Sequence, residues 1–539
     1  MTLDSARTDA RALVVRGDRI ESVGDSTLAR DAGRSGADVV DLRGAVVAPA
    51  LVDHHVHLFG VGLFLLNDRD HERLFVDLSR TTTLDGAIAK VRERAARSPA
   101  GAWILGAGWN QAAWGASRMP KGEVLTAAVP DHPVYLARSD GHAGWVNARA
   151  TALAGSAAPG GILLERANEP FTAAVPALAD SDIVTAYRLA AEALAARGVV
   201  EVYDAGAMPL PGVVALNADL GRQLRLLWRA DSLAALPIRV NLMVPAPSAL
   251  ADSLLDAPGR RWTLSPRLRI THLKLFADGA LGSRGAALTH PYADDSTTLG
   301  VPRMTTDEIV TLARRALDAG LGVATHAIGD EAVKRVLDAY EEVIRSRPGL
   351  DAARLRIEHF SYAREEDFAR AVRLGVVLSI QTNFNALPGD DPPFGAARVG
   401  AANEPRVYAW NRLWREGALL AEGSDYFVRP LEPLAGFHAA LSRRYAVGAE
   451  RPDGEGRTLA YRMQARLFPA SGAAMEPVLR GGSPADLVVL SADPLTVPLA
   501  DVPKITVLAT VNRGRITYAS AEFQRRLSSG AKKRFGPAS

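Results

Sequence analysis

Through most of the chain, short apolar runs alternate with stretches in which apolar residues recur every three or four positions. The runs occupy 46–54, 198–204, 238–244, 268–276, 321–327, 354–360, 375–381 and 417–425. Sequences such as "GVVEVYD", "LGVATHA" and "RLRIEHF" are short and rich in Val, Ile and Leu, as strands covered on both faces require. Helical patterns lie between them, among them "DIVTAYRLAAEALAARG" (182–198), "TDEIVTLARRALDAG" (306–320) and "DEAVKRVLDAYEEVI" (330–344). Strands that alternate with helices in this way run parallel and are joined by crossover helices. Eight of them is the number that closes a barrel, so the pattern predicts an α/β protein built on a (β/α)8 TIM barrel over 46–450.

Both chain ends read differently. "RALVVRGDRIESVG" (11–24) places two short strands around Gly17-Asp18, a hairpin signal. "ADLVVLSADP" (485–494) and "ITVLATVNRGRITYA" (505–519) repeat the style, with Arg513-Gly514 as the turn. Segments 1–45 and 480–520 are therefore expected to pair into one small β-sandwich domain that brackets the barrel. The rhythm breaks once more after the first strand, where about 140 residues precede the second, far beyond the needs of one crossover. The span 60–197 contains "WILGAGWNQAAWG" and "PVYLARSDGHAGWVN", so it reads as a structured insertion, suited to a lid or a substrate pocket. The basic end, 521–539 with "GAKKRFGPAS", is expected to be a disordered tail.

Composition narrows the classes. Of 539 residues, 48% are hydrophobic and 23% charged, ordinary values for a globular protein. A formal net charge of +3 gives no field that favours nucleic acid. There is no cysteine, which removes disulfides, thiolate ligands and cysteine nucleophiles together. No apolar run is long enough for a membrane span, and no signal-peptide pattern opens the chain, so a cytoplasmic location is expected.

The chemistry sits where the strands end. The first run finishes in "VDHHVH", with His55 and His57 at its tip, and a lone His-x-His pair is weak evidence for anything. Lys274, His326, His359 and Asp425, however, fall near the ends of the fourth, fifth, sixth and eighth runs. Each has a plain structural explanation: a satisfied core histidine at His326, a local bond at His359, a turn at Asp425, a snorkelling stem at Lys274. In a (β/α)8 barrel, all these ends open on one mouth, and a shared coincidence is much harder to sustain. Imidazoles and a carboxylate in this arrangement suit Zn²⁺ or a similar ion. Side chains alternate along a strand, so His55 and His57 should emerge together while His54 points the other way, in a structural or supporting role.

These residues in this order resemble the metal-dependent amidohydrolase superfamily, whose first strand ends Asp-x-His-x-His, here Asp53, His55 and His57. The resemblance extends to amidohydrolase family 3, the branch that contains N-substituted formamide deformylases. It is carried by "GAGWNQAAWG", "SDGHAGWVN", "LKLFADGALGSRGAALTHPYAD", "ATHAIGDEAV", "RIEHF" and "GSDYF", and runs from about 12 to 519. Departures lie at Thr382, where proline is common, and at Tyr426 and Phe427, which replace Trp-Pro.

The resemblance implies a distorted barrel whose metal ligands are His55, His57, Lys274, His326, His359 and Asp425. It implies one or two divalent ions, usually zinc, with Lys274 carboxylated by CO₂ where two are present. Water activated on the metal would attack a non-peptide C–N bond of amide, N-acyl or N-formyl type, with Asp425 as general base and then general acid. Trp109, His142 and Arg284 are the candidate substrate contacts, against packing, core and salt-bridge roles for the same residues. The partner is a small molecule, with no nucleic acid or membrane, and a homodimer is expected from the resemblance. A deaminase, a cyclic amide or lactone hydrolase, and a barrel that serves as a binding or scaffold subunit stand as alternatives.

Overall fold

The fold rests on strands that are short, apolar and buried on both faces. The computed structural model describes residues 1–4, 10–116, 118–206, 220–257, 262–385, 393–426, 431–442, 454–466 and 475–530. Phe427 and the basic end 531–539 lie outside the described residues. In chain order the strands begin with the hairpin β1 (Ala12–Arg16) and β2 (Arg19–Gly24), antiparallel across Gly17 at φ 60°. β3 (Val46–Pro49) and β4 (Leu51–Val56) follow. The inserted segment supplies β5 (Val76–Asp77), β6 (Ile104–Trp109), β7 (Val134–Arg138), β8 (Ala143–Val146) and β9 (Ile162–Leu164). Next come β10 (Val199–Asp204), β11 (Arg239–Pro245), β12 (Leu268–Phe276), β13 (Gly322–Ala327), β14 (Leu355–His359), β15 (Val377–Ile380) and β16 (Leu419–Glu422). β17 (Leu487–Leu490), β18 (Val507–Asn512) and β19 (Arg515–Ala519) close the chain.

Eight of these, in the order β4-β10-β11-β12-β13-β14-β15-β16, form one parallel sheet curled into a TIM-like barrel. Among the described residues, β16 and β4 share no ladder, and the seam is closed by the chain just past β16. Asp425 N–H donates to His55 O at 2.7 Å, and the Ser424 N–H and hydroxyl donate to the Asp53 carboxylate at 2.9 and 2.6 Å. Gly423 permits this approach, since a Cβ there would lie 2.3 Å from His55 N. The seam therefore draws strand eight's acid onto strand one's histidines.

The helices turn their apolar stripes to the sheet. Thr306–Asp318 buries Ile309, Val310, Ala313, Ala316 and Leu317, and it starts at a capping box of Thr305 and Glu308. Leu58–Arg69 and Asp180–Ala195 frame the insertion and pack on each other so closely that a Cβ on Gly62 would lie 1.8 Å from Ala186 O. Gly62→Val should therefore cost about 1–3 kcal/mol of stability through overpacking, read from the urea midpoint of unfolding. No helix among the described residues is long and apolar enough to cross a membrane.

Two expectations need correcting. The run 46–54 is not one strand: Val46–Pro49 pairs antiparallel with β17, and the barrel strand starts only at Leu51. Ala50 makes the handover, since its N–H donates to Asp486 O and that of Leu51 to Gly198 O. Proline is tolerated at Pro49 because β3 is the edge of the sheet β19-β18-β17-β3. The hairpin β1–β2 joins that sheet through Ile20 N–H to Ser483 O and Ala485 N–H to Asp18 O. The second correction is the tail, which is helical over Ala521–Gly530. Ser520 Oγ accepts from Phe523 N–H at 3.2 Å, and Phe523 is buried against Val489, Leu508 and Ala509. A ten-residue helix with Phe523 and the partly buried Leu527 as its apolar anchors is hard to see beside a basic, glycine-bearing end. The insertion has its own sheet, β5-β6-β7-β8-β9, parallel at β5–β7 and antiparallel beyond.

Candidate metal centre at the barrel mouth

β4 delivers His55, and His57 follows at the first turn of the next helix. His55 Nδ1 lies 2.5 Å from Glu358 Oε2, and His57 Nδ1 lies 2.6 Å from Gly206 O. Carboxylate and carbonyl oxygens only accept, so each Nδ1 carries the proton and each Nε2 presents its lone pair. Both lone pairs lead to Asp425, whose Oδ1 is 3.8 Å from His55 Nε2 and 3.3 Å from His57 Nε2. That oxygen is buried, and no aligned hydrogen bond reaches it. Ligand atoms of His55, His57 and Asp425 all lie within 4.8 Å of one another. Two ligands about 2.0–2.1 Å from a zinc ion in tetrahedral array are separated by about 3.3 Å, a similar spacing.

The remaining imidazoles continue the line. His359 Nδ1 donates to Gln381 Oε1 at 2.8 Å, which leaves its Nε2 as the acceptor. The His359 ring is 4.7 Å from that of His55 and 4.5 Å from that of His326. His326 is reversed: its Nε2 faces Gly279 O at 3.3 Å, which leaves Nδ1. His359 and Asp425 hold φ angles of 77° and 48°, left-handed conformations that non-glycine residues adopt at a cost. Lys274, from β12, is buried with its Nζ 5.2 Å from the centre of the Phe276 ring.

Burial is the largest influence on the titrations of His55, His359, Lys274 and Asp425. It pushes His55 down to about 4 and His359 to about 3, with help for His55 from the Lys274 charge and for His359 from His55. It also pushes the Lys274 ammonium down to about 8, against the pull of Glu358 and Asp425. For Asp425 burial acts upward, yet the close approach of His57 and the His55 and His359 rings hold it below the usual carboxylate range. Near neutral pH this gives uncharged His55, His326 and His359 rings around an ionised carboxylate, a donor set that fits a divalent cation.

Several residues shape the site in ways that the sequence alone does not show. Glu358 grips His55 and the buried Arg356 at once. Asp53 secures the seam through Ser424. Asp278 accepts three backbone N–H groups, from Ala287, Ile328 and Gly329, and its Oδ1 lies 3.5 Å from His326 Nε2. The signals were slight: Glu358 stands one residue before His359, Asp53 opens the Asp-x-His-x-His pattern, and Asp278 lies inside the motif "LKLFADGALGSRGAALTHPYAD". His54 points away, as alternation requires: it stacks on Tyr203 at 5.1 Å, and its Nε2 bonds Arg466 O.

The three candidate substrate contacts separate. Trp109 is fully buried, its indole N–H donates to Leu136 O at 2.9 Å, and its ring packs on Trp114 and Trp145. It is core of the inserted sheet and not part of the mouth. Arg284 is held by Asp294 at 2.9 Å. His142 alone meets the histidine cluster, 5.2 Å from the His326 ring, and it is tied to Glu165. A cavity of about 750 Å³ lined by Ala50, Val52, Val200 and Arg513 lies at the foot of the barrel, at the strand starts, away from these histidines.

Eight parallel strands that open on four imidazoles, a lysine and an aspartate define a barrel hydrolase. A model of the amidohydrolase family matches residues 38–518, and the chain belongs to that family. It is 29% identical over 511 residues to YtcJ of Bacillus subtilis (strain 168), with 90% of this chain and 91% of that protein covered. It is 27% identical over 550 residues to an N-substituted formamide deformylase of Arthrobacter pascens, with 96% of each covered. The crystal structure of an uncharacterized metal-dependent hydrolase from Pyrococcus furiosus superposes with a TM-score of 0.66 at 29% identity, over 90% of this chain and 95% of that one. The protein is an amidohydrolase, an enzyme that hydrolyses a non-peptide bond.

Proposed function

We propose that this enzyme cleaves the C–N bond of an amide, in the N-acyl or N-formyl class, at a divalent metal centre held by His55, His57, His326, His359, Asp425 and Lys274. The observation that carries the reading is the Asp425 carboxylate, buried without an aligned hydrogen bond to Oδ1 and faced by the lone-pair nitrogens of His55 and His57. Zinc suits a set of imidazoles and one carboxylate. Burial of Lys274 favours its free amine, the form that takes up CO₂ as a carbamate.

When bound, the ion supplies Lewis acidity that activates water and polarises an acyl oxygen. Asp425 accepts the proton that water loses as its oxygen bonds to the acyl carbon, then returns that proton to the nitrogen as the C–N bond breaks. Gln381, Glu358 and Gly206 hold the ring nitrogens opposite the centre, which fixes each tautomer and each ring plane.

The test is metal counting by mass spectrometry on protein purified without chelators, with a panel of N-formyl and N-acyl amides. One or two divalent ions per chain are expected, together with turnover that a chelator removes and added zinc restores. Protein that holds no metal and takes up none on reconstitution would overturn the proposal.

A further inference from the structure

The turn between β7 and β8 of the insertion brings His142 to the histidine cluster, 5.2 Å from the His326 ring, and His142 is gripped from several sides. Its N–H donates to Asp140 Oδ1 at 3.1 Å, and its O accepts from Glu165 N–H at 3.0 Å. Its ring Nδ1 lies 3.1 Å from both oxygens of Glu165. Asp140 is in turn paired with Arg138, whose Nε donates to Gln111 at 2.9 Å.

Glu165 occupies a place prepared for it. It has φ 50°, and its carboxylate passes under the loop that follows β12. A Cβ on Gly279 would lie 2.0 Å from Glu165 Oε1, and one on Gly285 would lie 2.7 Å from it. Two glycines of "ADGALGSRG" thus leave room for a carboxylate from "LLERANEP", about 115 residues earlier in the chain. Oε2 also accepts from Arg303 Nη1 at 2.9 Å, and the Arg303 guanidinium rests 5.1 Å from the centre of the Phe276 ring. Both oxygens are occupied, so Glu165 itself has little left for a ligand.

A carboxylate only accepts, so His142 Nδ1 carries the proton donated to Glu165. Among the described residues, nothing bonds to the other nitrogen, Nε2. The side chain keeps 12% of its surface exposed, beside His326. We infer that Glu165 is a positioning residue for His142, set so that Nε2 meets the amide group of the substrate beside the metal centre. This deepens the amide-hydrolase reading and rests on it. It makes the insertion a contributor to the chemistry rather than only a cover.

The rival is a purely structural pin between insertion and barrel, and a double-mutant cycle separates the two. The zinc-loaded variants His142→Ala, Glu165→Ala, Glu165→Gln and the double alanine are compared on the best amide of the panel, with metal content measured in each. Each single alanine should lower kcat by about 10- to 100-fold with KM little changed. The double variant should be no worse than His142→Ala alone, because Glu165 acts through that ring. Glu165→Gln keeps an acceptor for Nδ1–H and should recover most of the loss, and metal content should not move. If Glu165→Ala does not fold, Gly285→Ala displaces the same carboxylate and takes its place in the cycle. Losses that multiply, a glutamine as harmful as alanine, or metal lost with activity would overturn the inference alone. A wild type inert to the whole panel overturns the hydrolase reading and this inference with it.

Discussion

Asp425→Asn lowers kcat by about 10³-fold or more while the fold and most of the bound metal remain. The side chains are isosteric, and the backbone bond from Asp425 N–H to His55 O does not depend on charge. Asparagine is also among the residues that tolerate the left-handed φ of 48° found there. What the substitution removes is the ability to take a proton. The wild-type carboxyl is ionised near neutral pH, because the His57, His55 and His359 rings outweigh the upward push of burial. An amide in its place still offers an oxygen to a cation but cannot shuttle a proton between water and leaving nitrogen. Turnover, metal content and melting temperature, measured on one preparation, decide the matter. An asparagine variant that keeps a tenth of its activity would leave Asp425 as a ligand only and move the base elsewhere.

The barrel was legible because its strands are short apolar runs at crossover spacing, and six of the eight begin and end within two residues of the expected limits. The two exceptions share a cause. Val46–Pro49 is as apolar as Leu51–Val56, so hydrophobicity could not reveal that the chain changes sheets at Ala50. β16 stops at Glu422, before Asp425, because the seam bends the chain towards Asp53 and His55. The convergence of His55, His57 and Asp425 followed from strand ends alone, since a closed barrel allows them only one place to meet.

What was illegible depends on contacts between distant parts of the chain, from 27 residues apart at Trp109 to 371 at Asp53. Trp109 stands in a motif that marks a functional region, yet its indole is spent on Leu136 O, and only the fold distinguishes a packing tryptophan from a pocket wall. Glu165 carries no signal in its own neighbourhood. It becomes conspicuous only when Gly279 and Gly285 are seen to make space for it. Asp53 could be read from the Asp-x-His-x-His pattern but not its purpose, which is to hold Ser424 and so the approach of Asp425.

Glu358→Ala should produce the largest loss of stability, about 3–5 kcal/mol, and weaken metal binding about 10- to 100-fold. Glu358 is fully buried, and burial alone would raise its titration. The Arg356 charge, the His55 bond and the Lys274 charge together hold it well below the ordinary carboxylate range. Its two oxygens have separate tasks: Oε1 accepts from Arg356 Nε at 2.9 Å, and Oε2 fixes His55 Nδ1 at 2.5 Å. Arg356 is itself fully buried. Its Nη2 donates to His54 O, its Nη1 has no hydrogen bond, and its guanidinium lies 4.8 Å from the centre of the Tyr203 ring. Removing the acid leaves that charge without its counter-ion and frees the His55 ring to turn. The stability effect is read by urea unfolding of the chelator-treated protein, and the affinity effect by zinc titration. Replacing both partners, Glu358→Ala with Arg356→Met, should recover much of the stability, because the uncompensated charge goes too. It should not recover the affinity, because His55 still lacks its anchor. A single variant that unfolds within about 1 kcal/mol of the wild type and binds zinc equally well would show that Arg356 finds other solvation and that His55 is held by packing alone.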